Sequence, residues 1–152
     1  MWRPANPNED DLIVQMCLAL NREDPGEPVS EPQIRRTLSA FRAEPVRGRA
    51  LLVEVDSVVV GYALLVSFWS NEYGGEICAV DELYVEPSHR SRGISTSLFD
   101  AVVGDRSLWP ECPFALELEV TPDNARARAL YERLGFRARN QTLRRRVRSA
   151  GA

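Results

Sequence analysis

Apolar residues recur along this chain with two different periods, and the change of period divides it. Leu12, Met16 and Ala19, flanked by Ile13 and Leu20, make a helical stripe. Asn8 is placed to cap that helix, and Glu9, Asp10 and Asp11 suit the positive end of its dipole. Asp24-Pro25-Gly26 stops it. A second helix is predicted from Ser30, where Ser30 and Gln33 form a capping box and Ile34, Leu38 and Phe41 share a face. Ahead of both, Trp2 to Ala5 reads as a short opening strand.

From Ala50 the period shortens to that of strands. Ala50 to Val55, a turn at Asp56-Ser57 and Val58 to Trp69 read as a hairpin rich in Val and Leu. Asn71 to Gly75 turns the chain into a strand over Glu76 to Val85. Ile94 to Val103 is helical. Phe114, Leu116, Leu118 and Val120 then alternate with Ala115, Glu117 and Glu119, a strand with one apolar face. Asn124 to Leu134 is a helix closed by Gly135. From Phe136 on, at least one more strand and a basic tail are expected. The order is β-α-α-β-β-β-α-β-α-β. Helices alternate with strands only in the second half, which predicts an α/β fold on a mixed sheet.

At 152 residues, 44% hydrophobic and 27% charged, the chain has the size and composition of one packed domain, residues 1–152. No stretch approaches the roughly 20 apolar residues that span a bilayer. The opening Met1-Trp2-Arg3-Pro4 lacks an apolar signal core, so a cytoplasmic protein with no membrane partner is expected. All 19 basic residues are arginine, and the net charge is -3, which argues against nucleic acid as a partner. Arg144, Arg145, Arg146 and Arg148 read as edge protection and a solvated tail. Cys17, Cys78 and Cys112 are odd in number and widely spaced, with only His89 as company. Neither a disulfide framework nor a metal site is expected, and buried free thiols are.

Two stretches carry chemistry. In the first, the strand ending Val80-Asp81-Glu82-Leu83-Tyr84-Val85 runs into Glu86-Pro87-Ser88-His89-Arg90-Ser91-Arg92-Gly93, and a helix opens at Ile94-Ser95-Thr96. Unpaired N–H groups of such a turn and first helical turn converge on one point, an anion cradle suited to pyrophosphate. Gly93 permits close approach, and Arg90 and Arg92 add positive charge. In the second, Asn124 stands at a strand-to-helix corner, and Tyr131 lies two helical turns later on nearly the same face. A phenol there can donate a proton into a cleft between strand and helix.

Arg90-x-x-Gly93-x-Ser95, with Asn124 and Leu130-Tyr131-Glu132-x-x-Gly135-Phe136 downstream, resembles the two signature motifs of the GNAT N-acetyltransferases. Trp2-Arg3-Pro4-Ala5 before an acidic helix resembles that family's opening strand, so the likeness runs along nearly the whole chain. It implies a central mixed sheet of about six to seven strands flanked by about four helices. It also implies acetyl-CoA as cosubstrate, no metal, and an amine acceptor: a small amine, a lysine or a protein N-terminus. Leu83, Tyr84 and Val85 would pair with the pantetheine arm. Arg90, Ser91, Arg92, Gly93, Ile94, Ser95 and Thr96 would hold the pyrophosphate. Asn124 would bond the pantetheine, and Tyr131 would both touch the cofactor and protonate the departing thiolate.

For the base, the resemblance leaves three carboxylates. Glu119 matches the position proposed in the ribosomal-protein N-terminal acetyltransferase branch, while Asp81 and Glu82 match acidic positions in the polyamine branch. Glu72, Glu76 and Glu117 are expected to join them in an acidic mouth. Two departures stand out. Ser95 replaces the usual Gly or Ala. The chain also runs only 16 residues past Phe136, so the closing strands are abbreviated or a partner subunit, in a homodimer, completes the sheet. A coenzyme-A-binding sensor or partner module without turnover is the alternative function.

Overall fold

The computed structural model describes residues 1–149; residues 150–152 of the expected domain lie outside the described residues. Short-range chemistry sets the first helices. A 3-10 turn over Pro7–Glu9 is capped from Asn6, whose N–H donates to Glu9 Oε2 at 2.8 Å. Helix α1 (Asp10–Glu23) follows directly. The cap is therefore Asn6 rather than Asn8, because Pro7 already opens the turn. Helix α2 (Glu31–Ala43) starts as the capping box predicts, with Ser30 N–H donating to Gln33 Oε1 at 2.7 Å.

The strands are β1 (Trp2–Pro4), β2 (Gly48–Val55), β3 (Val58–Ser70), β4 (Gly75–Val85) and β5 (Ala115–Leu118). They lie in chain order in one sheet, antiparallel except for the parallel pair β4–β5, so the sheet is mixed. Asp56 and Ser57 turn the β2–β3 hairpin at φ 51 and 64, the left-handed pair that matches strand twist. Helix α3 (Ile94–Gly104) connects β4 to β5. Helix α4 (Ala125–Arg133) ends in a Schellman cap, with Gly135 at φ 92 and Phe136 N–H donating to the Tyr131 carbonyl at 3.0 Å.

The described sheet has five strands, not six to seven, and no strand follows Phe136 among the described residues. That segment offers too little to bury. Its apolar side chains Leu143 and Val147 are 92% and 89% exposed, and four arginines crowd around them. Ion pairs hold it instead, Arg139 to Glu72 and Arg146 to Glu27. Strand β5 is likewise shorter than Phe114 to Val120: Phe114 stands just before it, its N–H still donating to the Glu76 carbonyl at 2.9 Å while its ring stacks on Tyr73.

Alternation along the strands builds two cores. Tyr62, Leu64 and Tyr84 face α1 and α2, packing on Ile13, Val14, Cys17, Ile34 and Leu38. Ala63, Leu65, Cys78 and Val80 face α3, packing on Leu98, Phe99 and Val102, with Trp109 from the loop behind. In β4 one residue breaks the alternation. Val80 pairs with Leu65 and Glu82 with Leu64, so Asp81 is an extra residue, a β-bulge. Beyond it the faces exchange: Leu83 packs toward α3, and Tyr84 toward α1 and α2.

Candidate active site

Strands β4 and β5 part company halfway. Their last pair is Val80 with Leu118, yet β4 runs on to Val85, held only by β3 through Tyr62–Tyr84 and Gly61–Val85. The edge of Leu83, Tyr84 and Val85 that faces away from β3 has no strand partner among the described residues. An extended amide arm can take up those backbone groups as an added strand would. Gly61 lets β3 lie tight beneath this stretch, since a Cβ there would meet the Tyr84 carbonyl at 2.4 Å.

At the end of β4 a 3-10 turn over Pro87–His89 leads to two left-handed residues, Ser91 at φ 62 and Gly93 at φ 75. They swing the chain into α3. The first N–H to bond back into the helix is Ser97, donating to the Gly93 carbonyl at 3.0 Å. The N–H groups of Ile94, Ser95 and Thr96 precede it and stay available, at the positive end of the helix dipole. A Cβ on Gly93 would meet nothing within 4 Å, so the glycine is needed for its φ and the space above it is open. Trp2 Nε1 donates to Ser97 Oγ at 3.1 Å and to the Ile94 carbonyl at 3.3 Å, tying β1 to this turn.

The charges around the turn differ from expectation. Arg90 points back: Nε donates to the Val85 carbonyl and Nη2 to Glu23 Oε2, both at 2.7 Å. Arg92 makes no ion pair among the described residues. A guanidinium that sequence reasoning missed, Arg126 of α4, donates to Ser91 Oγ at 2.6 Å. Its place two residues after Asn124, in the first turn of α4, was the available signal. Asn124 itself is a helix cap, its Oδ1 accepting from Ala127 N–H at 3.1 Å.

Tyr131 sits half-buried in an aromatic trio, with ring centroids 6.1 Å from Phe99 and 5.8 Å from Phe136. Its hydroxyl has no hydrogen-bond partner among the described residues. Burial pushes the phenol above its ordinary pKa, so it holds its proton through neutral pH.

The three carboxylates lie near the place where β4 and β5 part, in unlike settings. Glu82 Oε2 accepts from Tyr62 Oη at 2.7 Å and from Cys17 Sγ at 3.3 Å. Asp81, exposed on the bulge, has its carboxyl pushed up by partial desolvation and by the Glu119 charge, while Arg144 works the other way. Glu119 is exposed, just past the end of β5. Glu72 and Glu76 do not join these carboxylates. Glu72 is bound to Arg139, and Glu76 lines a cavity of about 250 Å³ at the opposite end of β4, with Arg49, Ser67 and Trp109. The His89 ring meets Ser88 Oγ at 3.0 Å and no other side chain by hydrogen bond among the described residues. Cys17 and Cys78 are buried as expected. Cys112 is exposed, in the segment 111–113 outside any helix or strand.

Among the described residues no helix is long and apolar enough to cross a membrane. Two mycothiol acetyltransferases are similar in sequence. The protein of Parafrankia sp. (strain EAN1pec) is 34% identical over 82% of this chain and 34% of its own length. That of Amycolatopsis mediterranei (strain U-32) is 33% identical over 66% of this chain and 31% of its own. The chain thus spans about a third of the length of these curated relatives. In fold it resembles the ribosomal-protein-alanine N-acetyltransferase of Brucella melitensis biovar Abortus 2308, at TM-score 0.75 and 18% identity over 97% of this chain and 99% of that one. A predicted acetyltransferase from Clostridium acetobutylicum, solved with acetyl-CoA, gives TM-score 0.75 and 18% identity over 96% and 95% of the two chains. The model of the acetyltransferase (GNAT) family matches residues 14–136, and this chain belongs to that family.

Proposed function

We propose that this acetyltransferase, as a single domain, moves an acetyl group from acetyl-CoA to a primary amine by direct attack. The observation that carries the reading is the parting of β4 from β5 at Val80 and Leu118, with the α3 turn at its mouth. The residues fit the cosubstrate: an unpaired edge at Leu83, Tyr84 and Val85, and available amides at Ile94, Ser95 and Thr96 beyond Ser91, Arg92 and Gly93. Acetyl-CoA supplies an already activated thioester carbonyl. Arg126 and Arg92 answer the phosphate charge. Arg90 supports the turn from behind, and Asn124 keeps its Nδ2 as a donor while Oδ1 caps α4.

Catalysis needs a neutral amine, and a proton for the sulfur as the carbon–sulfur bond breaks. Tyr131 supplies the proton: its hydroxyl is unengaged and holds its hydrogen at neutral pH. Asp81, Glu82 and Glu119 supply carboxylates that attract a cationic acceptor and take the proton it sheds. The name shared by the two sequence relatives puts amines related to mycothiol beside polyamines, lysine peptides and N-terminal peptides as acceptors to try.

A thiol-release assay over such a panel tests the reading. Free thiol should appear only with acetyl-CoA and an amine together. Binding of acetyl-CoA with no thiol release from any amine would instead mark a coenzyme-binding module.

A further inference from the structure

The bulge at Asp81 sends the next carboxylate onto the α1–α2 face, where two protons meet it. Tyr62 of β3 and Cys17 of α1 both donate to Glu82 Oε2. Tyr62 pairs with Tyr84 and Leu64 with Glu82, so the phenol reaches its partner on the diagonal of the ladder, a spacing long side chains bridge. Tyr62 is fully buried and Cys17 is 4% exposed. Burial and the Glu82 charge push the Cys17 thiol up to about 12 and the phenol upward too. Both groups therefore remain donors throughout the neutral range. Both protons go to one oxygen, and Glu82 Oε1 has no hydrogen-bond partner among the described residues.

We infer that Tyr62, assisted by Cys17, is a positioning residue that grips Glu82 by Oε2 and presents Oε1 to the acceptor amine. The inference rests on the acetyl-transfer reading and selects one of its three carboxylates. A glutamate left to itself samples several rotamers. Two donors from separate elements fix one of them, so the carboxylate needs no reorganisation when the amine arrives. The nitrogen's proton passes to Oε1 as the nitrogen–carbon bond forms and the carbon–sulfur bond breaks, and the sulfur takes its proton from Tyr131. Asp81 and Glu119 have no comparable grip: no side-chain donor holds either among the described residues.

Tyr62→Phe keeps the ring and removes the donor. With an accepted amine, kcat should fall about 10- to 100-fold while KM for acetyl-CoA stays within about twofold. In a Glu82→Gln background the same substitution should do nothing further. Cys17→Ala should lower kcat, and Cys17→Ser, which keeps a donor, should restore most of it; this pair carries the test if Tyr62→Phe fails to fold. An equal loss from Tyr62→Phe in both backgrounds would make Tyr62 a packing residue and overturn the inference. So would full activity in Tyr62→Phe when wild type is active. Wild-type protein that acetylates no amine would sink the proposed function, and this inference with it.

Discussion

Arg90 Nε lies 2.7 Å from the carbonyl oxygen of Val85, closing the end of β4 with a side chain whose position in the motif suggests a phosphate ligand. The same guanidinium pairs with Glu23 at the end of α1, and its Cζ sits 5.4 Å from the centroid of the Tyr84 ring. These contacts tie α1, β4 and the turn before α3 together. Arg90→Ala should therefore cost about 1–2 kcal/mol of stability, seen as a lower Tm. It should weaken acetyl-CoA binding less than Arg92→Ala or Arg126→Ala. Calorimetry beside thermal melts separates the two roles, and a larger affinity loss in Arg90→Ala would reverse them.

Gly93 offers a separation of backbone strain from crowding. Its φ of 75 disfavours a side chain, yet a Cβ would meet nothing within 4 Å. Gly93→Ala should cost about 1 kcal/mol in stability and still bind acetyl-CoA. Gly93→Glu adds a carboxylate over the amides of Ile94, Ser95 and Thr96 and should abolish binding. Titration calorimetry reads both variants.

The unengaged hydroxyl of Tyr131 makes its removal clean. Tyr131→Phe keeps the contacts with Phe99 and Phe136, so Tm should stay within a degree or two and acetyl-CoA affinity should hold. Turnover should fall roughly 100-fold, the size of a general-acid contribution. Unchanged turnover with an accepted amine would mean that solvent protonates the thiolate.

Two carboxyls displaced in opposite directions predict opposite pH effects. Hydrogen bonding to Arg3 holds the Glu9 carboxyl at about 2, so Glu9 stabilises the fold fully above the ordinary carboxylate range and loses that contribution as pH falls toward 2. Glu9→Gln should cost roughly 1–2 kcal/mol at pH 7, discounted for partial exposure, and little at pH 2. Asp81 is pushed up instead, so its ionised form carries a cost that appears as pH rises. Asp81→Asn should raise Tm at pH 7, with the difference vanishing at pH 3. Melts at three pH values check all four expectations.

What the sequence makes legible here is local. The Ser30–Gln33 box, the Asp56-Ser57 turn, Gly93 before α3 and Gly135 after α4 each act within a few residues of themselves, and each stands where its chemistry implies. The hidden features depend on partners far along the chain. Whether Asp81 and Glu82 point alike or apart depends on the register of β4 against β3, which a strict alternation rule cannot foresee across a bulge. Tyr62 reads as an ordinary strand aromatic until Leu64 is seen opposite Glu82. Arg90 had a choice between a phosphate and the Val85 carbonyl, and only folding of α1 against β4 brings Glu23 within reach to decide it. That no closing strand forms among the described residues is an energetic matter: a strand pattern with two apolar side chains among arginines gains too little from burial.

The bonds from Trp2 to Ser97 and Ile94 give the protein a built-in optical reporter. Trp69 is 66% exposed and Trp109 is buried at the far end of β4, whereas Trp2 touches the helix turn whose amides would receive the pyrophosphate. If pyrophosphate loads that turn, the field and hydrogen bonding should change at one indole and stay as they were at the other two. In a Trp69→Phe background, the emission of Trp2 becomes a label-free signal for occupancy of the turn, readable on the millisecond scale of a stopped-flow mixing experiment.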